Sequence, residues 1–227
     1  FCLPCQSRSI RAIARSAHFD VVLIGLVCSS QQDSEATHYL LRRLGVDTNS
    51  VESLRYRGNG WPSGIQIKTT YGKTLVIPNG GSLWTTIFHS RLFIQRKCFW
   101  CQDTLNRYSD FSLADPWIKG YHDIEKYGKT LFSTNTDCAR TILNDATIQE
   151  YITATPVSAD ILVKSQLRTI DRKMSYKLNP RLRNAMAYVF GSRYYRIFAT
   201  CCPLFFKIHC KVVRLLESRM KSKLETI

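Results

Sequence analysis

Asp20-Val-Val-Leu-Ile-Gly-Leu-Val27-Cys28 is the stretch from which the fold is read. Asp20 to Val27 is continuous, apolar and β-branched. Its length and composition predict a strand buried on both faces. Cys28 and Ser29-Ser30 then fall in the loop beyond the strand's carboxyl end, where ligands gather in open α/β sheets. Upstream, Gln6 to Ser16 (QSRSIRAIARS) predicts a short helix after the Pro4-Cys5 step. Downstream, Asp33 to Leu44 predicts a second helix, with Ala36, Tyr39, Leu40 and Leu44 near helical spacing and Gly45 as the stop. A helix, a buried strand and a helix in that order point to an α/β fold, or to α+β, with a mixed sheet and flanking helices.

Further along, Val51 to Tyr56 predicts a strand, followed by Arg57-Gly-Asn-Gly-Trp-Pro-Ser-Gly64. Ile65 to Thr69 and Lys73 to Ile77 alternate in polarity around Thr70-Tyr71-Gly72, the pattern of a β-hairpin. Ser82 to Leu92 predicts a helix, Phe111 to Ala114 and Lys129 to Thr134 predict strands, and helices are expected over Asp137 to Leu143 and Ala159 to Lys173. The tail from Leu182 to Leu224 has helical character, broken at Gly191 and Pro203. This predicts a first domain over 1–165 and a basic, aromatic-rich helical arm over 166–227.

Charge separates the two parts. From Arg168 to Ile227 there are fourteen Lys/Arg against three Asp/Glu, so the tail holds +11 of a formal +15. A tail of this kind implies an anionic partner: a membrane surface, a nucleic acid or an acidic protein. Its longest stretch without a charge, Ile197 to Phe206, is ten residues, well short of the roughly 20 that cross a bilayer. Lys and Arg interleaved with aromatics fit an interfacial helix at the inner face of a membrane; the same pattern fits an arm packed on the protein itself or on a partner subunit. The near-balanced body carries no nucleic-acid module, so nucleic acid is not expected.

The chemistry lies in the cysteines. There are nine, an odd number, and no signal-type start precedes them. Metal ligation in a reducing, cytoplasmic setting suits them better than a disulfide framework. The opening Phe-Cys-Leu-Pro-Cys, without Met, reads as a cut edge. Cys98-Phe-Trp-Cys101 can direct two thiolates at one metal, and soft thiolates select iron–sulfur clusters, zinc or Cu(I). Cys5, Cys28, Cys98 and Cys101 are one possible set of four. Cys2, Cys5, Cys98 and Cys101 are a competing four-thiolate zinc set, because Cys2-x-x-Cys5 repeats the spacing. Cys28 taken alone is an ordinary core cysteine. Cys138, Cys201, Cys202 and Cys210 sit in apolar or helical settings, and the five histidines are scattered. There is no P-loop, dinucleotide fingerprint or Ser-His-Asp pattern.

Pro4-Cys5-Gln6 before a helix, the apolar strand ending in Cys28, Arg55-Tyr-Arg-Gly-Asn-Gly-Trp61, Cys98-Phe-Trp-Cys101 and Ser109-Asp-Phe-Ser-Leu-Ala-Asp-Pro-Trp117 occur in this order. The ordered set, over roughly residues 1 to 165, resembles the C-terminal part of the coenzyme F-420 hydrogenase/dehydrogenase beta-subunit family. The resemblance implies an oxidoreductase in which Cys5, Cys28, Cys98 and Cys101 ligate a 4Fe-4S cluster, with an FAD nearby. It implies electron passage to an organic acceptor, a redox partner protein or small-molecule acceptor, and a link to polysaccharide biosynthesis. Two departures stand out: Ala114-Asp115 replaces the usual Gly-Asp, and the family's glycine-rich N-terminal portion is not in this chain. Arg55 and Arg57 suit a flavin pyrophosphate, Gly58 and Gly60 admit a close backbone approach, Trp61 can stack, and Asp115 can hydrogen-bond to a cofactor. The same residues also read as a glycine-rich turn with a solvated Arg pair and a turn-forming Asp. The competing function is a non-enzymatic scaffold with a structural four-thiolate metal, docking to a membrane or a glycosyltransferase.

Overall fold

Local sequence signals set most of the element boundaries in the computed structural model, which describes residues 1–58, 64–118 and 128–221. Helix α1 (Pro4–Ser16) starts two residues before Gln6, because Pro4 takes the first helical position and the Gln6 side chain accepts the Leu3 N–H (2.9 Å). Strand β1 is only Ile24–Leu26, shorter than its apolar run. The approaches to it are held by side chains: the Leu23 N–H bonds the Asp110 carboxylate (2.7 Å) and the Val21 carbonyl accepts from Arg11 (3.3 Å). Helix α2 (Ser34–Arg43) and strands β2 (Val51–Gly58), β3 (Gly64–Thr69) and β4 (Thr74–Pro78) follow as expected, β3 and β4 closing the hairpin. Helix α3 (Leu83–His89) is capped by Ser82, whose Oγ accepts from the Thr85 N–H. It stops before Leu92 because Ser90 Oγ turns onto the Ile87 carbonyl and Arg91 adopts φ 61°.

Strands β5 (Phe111–Ala114) and β6 (Leu131–Thr134) precede α4 (Asp137–Ile148), whose N-cap is Thr136. Then come α5 (Ala159–Leu178), α6 (Pro180–Phe190), α7 (Arg193–Thr200) and α8 (Pro203–Lys221). Gly191 caps the end of α6 at a position that admits no side chain: a Cβ there would lie 2.6 Å from the Ala187 carbonyl oxygen and 2.9 Å from Arg96 Cδ. Among the described residues the architecture is α/β with two three-stranded sheets, one mixed (β1-β5-β6, with β1 parallel to β5 and β6 antiparallel) and one antiparallel (β2-β3-β4).

The chain divides into two compact units. The first comprises 1–29, 101–124 and 129–173 and contains the mixed sheet; the second comprises 30–100, 125–128 and 174–227 and contains the antiparallel sheet. Two apolar clusters belong to the second unit. One packs α2, β3 and α3 with Phe206 and Cys210 of α8. The other gathers Phe99, Tyr176, Met186, Phe190 and Val213. Within this unit the helical arm is therefore part of the core.

The first unit is tied by buried polar groups. Asp110, just before β5, accepts from Leu23 N, from Thr136 Oγ1 (2.7 Å) and from the Arg11 guanidinium (2.6 Å), so one carboxylate joins β1, α4 and α1. Asn106, at φ 58°, donates Nδ2 to the Cys2 carbonyl (2.9 Å) and sits beside Ser109, whose Oγ lies 2.6 Å from the Asn106 carbonyl. Gly25 faces this pair: a Cβ there would lie 2.3 Å from Ser109 Oγ and 2.5 Å from Asn106 Nδ2.

Candidate functional site

Three of the four candidate thiols fall in the first unit. Cys5 occupies the first turn of α1 and is exposed. Cys28 follows β1, and its N–H bonds the Thr104 carbonyl (3.0 Å), so the loop after the strand is pinned to the segment after Cys101. Lys173 completes the arrangement. Its side chain is buried in the C-terminal half of α5, and its Nζ donates to the Cys28 carbonyl (2.9 Å), the Asp103 carbonyl (2.7 Å) and Cys101 Sγ (3.4 Å). An ammonium has three N–H donors, and all three are used. Neighbouring Arg172 adds bonds from Nη2 to the Ser29 carbonyl (3.0 Å) and to Ser29 Oγ (2.9 Å). Two adjacent cations of one helix thus hold the Cys28-Ser29 loop.

Cys98 belongs to the second unit. It lies in a single 3₁₀ turn, Arg96–Phe99, and its sulfur accepts the Gln31 N–H (3.5 Å). Phe99, between the two cysteines, is buried against Tyr176 and Phe190 and anchors the turn. Trp100 stays half-exposed, with the Arg183 guanidinium 5.8 Å from its ring centroid.

Cys5, Cys28, Cys98 and Cys101 are all free thiols, so the donor chemistry fits an iron–sulfur cluster in kind. Among the described residues, no three or more His, Cys, Asp or Glu side chains stand close enough together to hold a metal ion. What the structure brings together is the Cys28 loop, Cys101 and Lys173. Cys2, from the competing zinc set, is a core residue of the first unit, and burial pushes its thiol above the ordinary cysteine range. Cys210 is buried as well, while Cys138 and Cys201 are exposed.

Arg55 and Arg57 are both exposed on β2, whose pairing with β3 is irregular between Arg55 and Gly58; guanidinium groups are suited to a diphosphate. Gly58 ends that strand; Gly60 and Trp61 lie outside the described residues. Asp115, half-buried after β5, belongs to the first unit, and its carbonyl accepts from Gln166 Nε2 (2.8 Å).

The sequence reading missed Lys173, Asp110 and Asn106. Lys173 ends the predicted helix that opens the basic region, and nothing local marks it as buried. Asp110 was within reach, since a carboxylate directly before a buried strand needs partners. Burial raises its pKa, but the Leu23 N–H, the Arg11 guanidinium and the Thr136 hydroxyl outweigh that and hold it below the ordinary carboxylate range.

The site's elements are a mixed sheet, Cys28 just past its strand β1, and the Cys98-x-x-Cys101 pair ahead of its strand β5. The family is shown directly: residues 1–160 match the family described as the C terminus of the coenzyme F-420 hydrogenase/dehydrogenase beta subunit, and the chain belongs to it. Among solved structures, the chain is similar to one of the F-420-reducing NiFe hydrogenase complex from Methanosarcina barkeri, determined with xenon derivatization. The TM-score is 0.51 at 16% identity, over 76% of this chain and 57% of that one. At that identity the likeness is one of fold, and this chain spans just over half the length of the other. No curated protein matches the sequence.

Proposed function

We propose that this chain is part of an iron–sulfur flavoprotein oxidoreductase subunit, in which Cys5, Cys28, Cys98 and Cys101 ligate a 4Fe-4S cluster. Arg55, Arg57, Gly58, Gly60, Trp61 and Asp115 are the residues proposed to bind FAD. When bound, these groups supply one-electron transfer and two-electron exchange with an organic acceptor. The chain's own residues hold and bias the sulfurs. Lys173 sets a positive donor on Cys101 Sγ, and the Gln31 N–H does the same more weakly for Cys98 Sγ. Hydrogen bonds and charge at cysteine sulfurs raise the potential of an iron–sulfur centre. Arg55 and Arg57 are the guanidinium groups proposed to meet the cofactor diphosphate.

The single observation that carries the reading is Lys173, a buried cation spent entirely on the Cys28 loop and the Cys-x-x-Cys end. The electron partner is proposed to be a redox protein or a small-molecule acceptor. A role in polysaccharide biosynthesis, from the family resemblance, and a cytoplasmic site, from the cysteine usage, stand as proposals. Anaerobic purification with iron, sulfide, zinc and flavin assays tests the reading. About four irons with FAD support it, and Cys→Ser changes at the four positions then remove the iron. Zinc or no metal, without flavin, overturns it.

A further inference from the structure

We propose that α7 and α8 form a docking face for an anionic lipid surface. Helix α8 is apolar on two sides. Phe206, Cys210, Val213 and Met220 point into the core of the second unit. Leu204, Ile208, Val212 and Leu215 recur at intervals of four, four and three residues, and each is 41% exposed or more. Such spacing draws one stripe along the helix, and this stripe faces outward. Helix α7 extends it with Ile197 and Phe198, also more than half exposed, and Phe198 stacks on Phe205 of α8 (4.6 Å between centroids) where the stripes meet. Tyr194, 86% exposed, adds an amphipathic ring of the kind found at membrane interfaces.

Charge selects the occupant. Lys207, Lys211 and Arg214 form an exposed row directly beside the stripe. From Pro180 to Lys221 the sole acidic residue is Glu217, whose Oε1 is taken by Arg91 Nε (2.9 Å) and Tyr176 OH (3.0 Å). No carboxylate in that span is left to offset the row. A second copy docked about a two-fold axis would set this row against itself. A nucleic acid would satisfy the row and leave the apolar stripe in water. An anionic bilayer serves both, taking the stripe into the acyl boundary while the lysine stems reach back to the headgroups. No helix among the described residues is long and apolar enough to cross a membrane, so contact is from one side. The face lies beyond residues 1–160, outside the region that defines the family.

The test is co-sedimentation of the full chain with phosphatidylglycerol/phosphatidylcholine vesicles and with pure phosphatidylcholine. Binding to the anionic vesicles is expected, at least tenfold weaker on neutral ones and reduced in 0.5 M salt. Lys207→Gln with Lys211→Gln weakens binding about 25-fold, roughly fivefold per charge. Ile208→Ser with Leu215→Ser abolishes it with only a small fall in melting temperature, because both side chains are about half exposed. Absence of anionic-vesicle binding by the unmodified chain overturns the proposal. So does a dimer, seen by ultracentrifugation, that the serine pair dissociates while vesicle binding stays nil, or duplex DNA binding that the serine pair leaves intact with no vesicle binding. None of these readouts depends on metal or flavin, so the redox reading stands or falls separately.

Discussion

Replacing Asp110 by Asn tests whether one carboxylate holds the first unit together. The Asp110 side chain is 4% exposed and receives three donors: Arg11 Nη2 at 2.6 Å, Leu23 N at 2.7 Å and Thr136 Oγ1 at 2.7 Å. Asn keeps the shape but only one acceptor oxygen; with that oxygen toward Leu23 N and Arg11, its NH2 replaces the oxygen that accepted from Thr136. A hydrogen bond to a charged group contributes about 1.5–3 kcal/mol against about 1 for a neutral one, so two weakened bonds and one lost bond cost about 3 kcal/mol. Arg11 is a quarter exposed, so water relieves part of its loss and no larger figure is warranted. For a chain of this size that lowers the melting temperature by about 6–12 °C.

The acid limb supplies a second readout. The folded pKa of Asp110 is lowered, with burial opposing and the three donors prevailing. Its contribution is therefore complete above the unfolded carboxylate value and is lost as pH falls through the folded one. The Asn variant should show a flatter decline below about pH 4. The assay is thermal and urea unfolding of the single variants Asp110→Asn and Arg11→Met and of the double, where the double costs less than the sum. An Asn variant that melts within 1 °C of the parent, with an unchanged acid limb, refutes the reasoning.

Other contacts make equally specific demands. Gly25→Ala sets a methyl 2.3 Å from Ser109 Oγ and 2.5 Å from Asn106 Nδ2, both buried, and should cost about 1–3 kcal/mol or more; an unchanged unfolding midpoint would count against the packing described. Lys173→Met in iron-loaded protein should shift the midpoint potential negative by on the order of 100 mV, from loss of a unit charge beside Cys101, with Lys173→Arg nearer the parent. Full iron with an unmoved potential would remove the electrostatic role of Lys173. His209 is buried, its ring nitrogens meeting Tyr195 OH (3.0 Å) and the Ser90 carbonyl (2.8 Å), and burial pushes its pKa down against the bond to Ser90. Stability from this group is full above the unfolded value near 6.5 and falls as pH drops below it, so His209→Phe should flatten stability between about pH 6.5 and 5, as read by urea midpoints.

Where local chemistry decides the conformation, the sequence was legible. Pro4, Gly45, Gly191 and Pro203 punctuate helices wherever they occur, and the Thr70-Tyr71-Gly72 turn sits between the strands that its flanking alternation predicted. Lengths were misjudged where a side chain took over a backbone partner. Asp110 and Arg11 bond the approach to β1 and shorten it, and Ser90 ends α3 early. Neither event leaves a trace in hydrophobic periodicity. The division into one mixed and one antiparallel sheet was equally hidden, because pairing β1 with β5 joins residues 24–26 to 111–113 across three intervening strands.

The candidate site divides the same way. Cysteines announce themselves by type and spacing, and four of them could be nominated from the sequence. Lys173 could not, because a lysine in a basic helix looks solvated unless its acceptors are known, and here all three acceptors lie about 70 residues or more away in sequence. Yet a buried ammonium loses its hydration, so it persists only where fixed acceptors replace water. Two of those acceptors are backbone carbonyls that hydrophobic residues could equally well have left to other donors. The third is a cysteine sulfur, a weak acceptor when neutral and a stronger one when it carries negative charge. Under the proposed ligation of a cluster by Cys101, this cation would stand against sulfur that carries negative charge. That is why a potential measured on Lys173→Met discriminates between a fastening and a tuning role, where stability measured on the same variant would not.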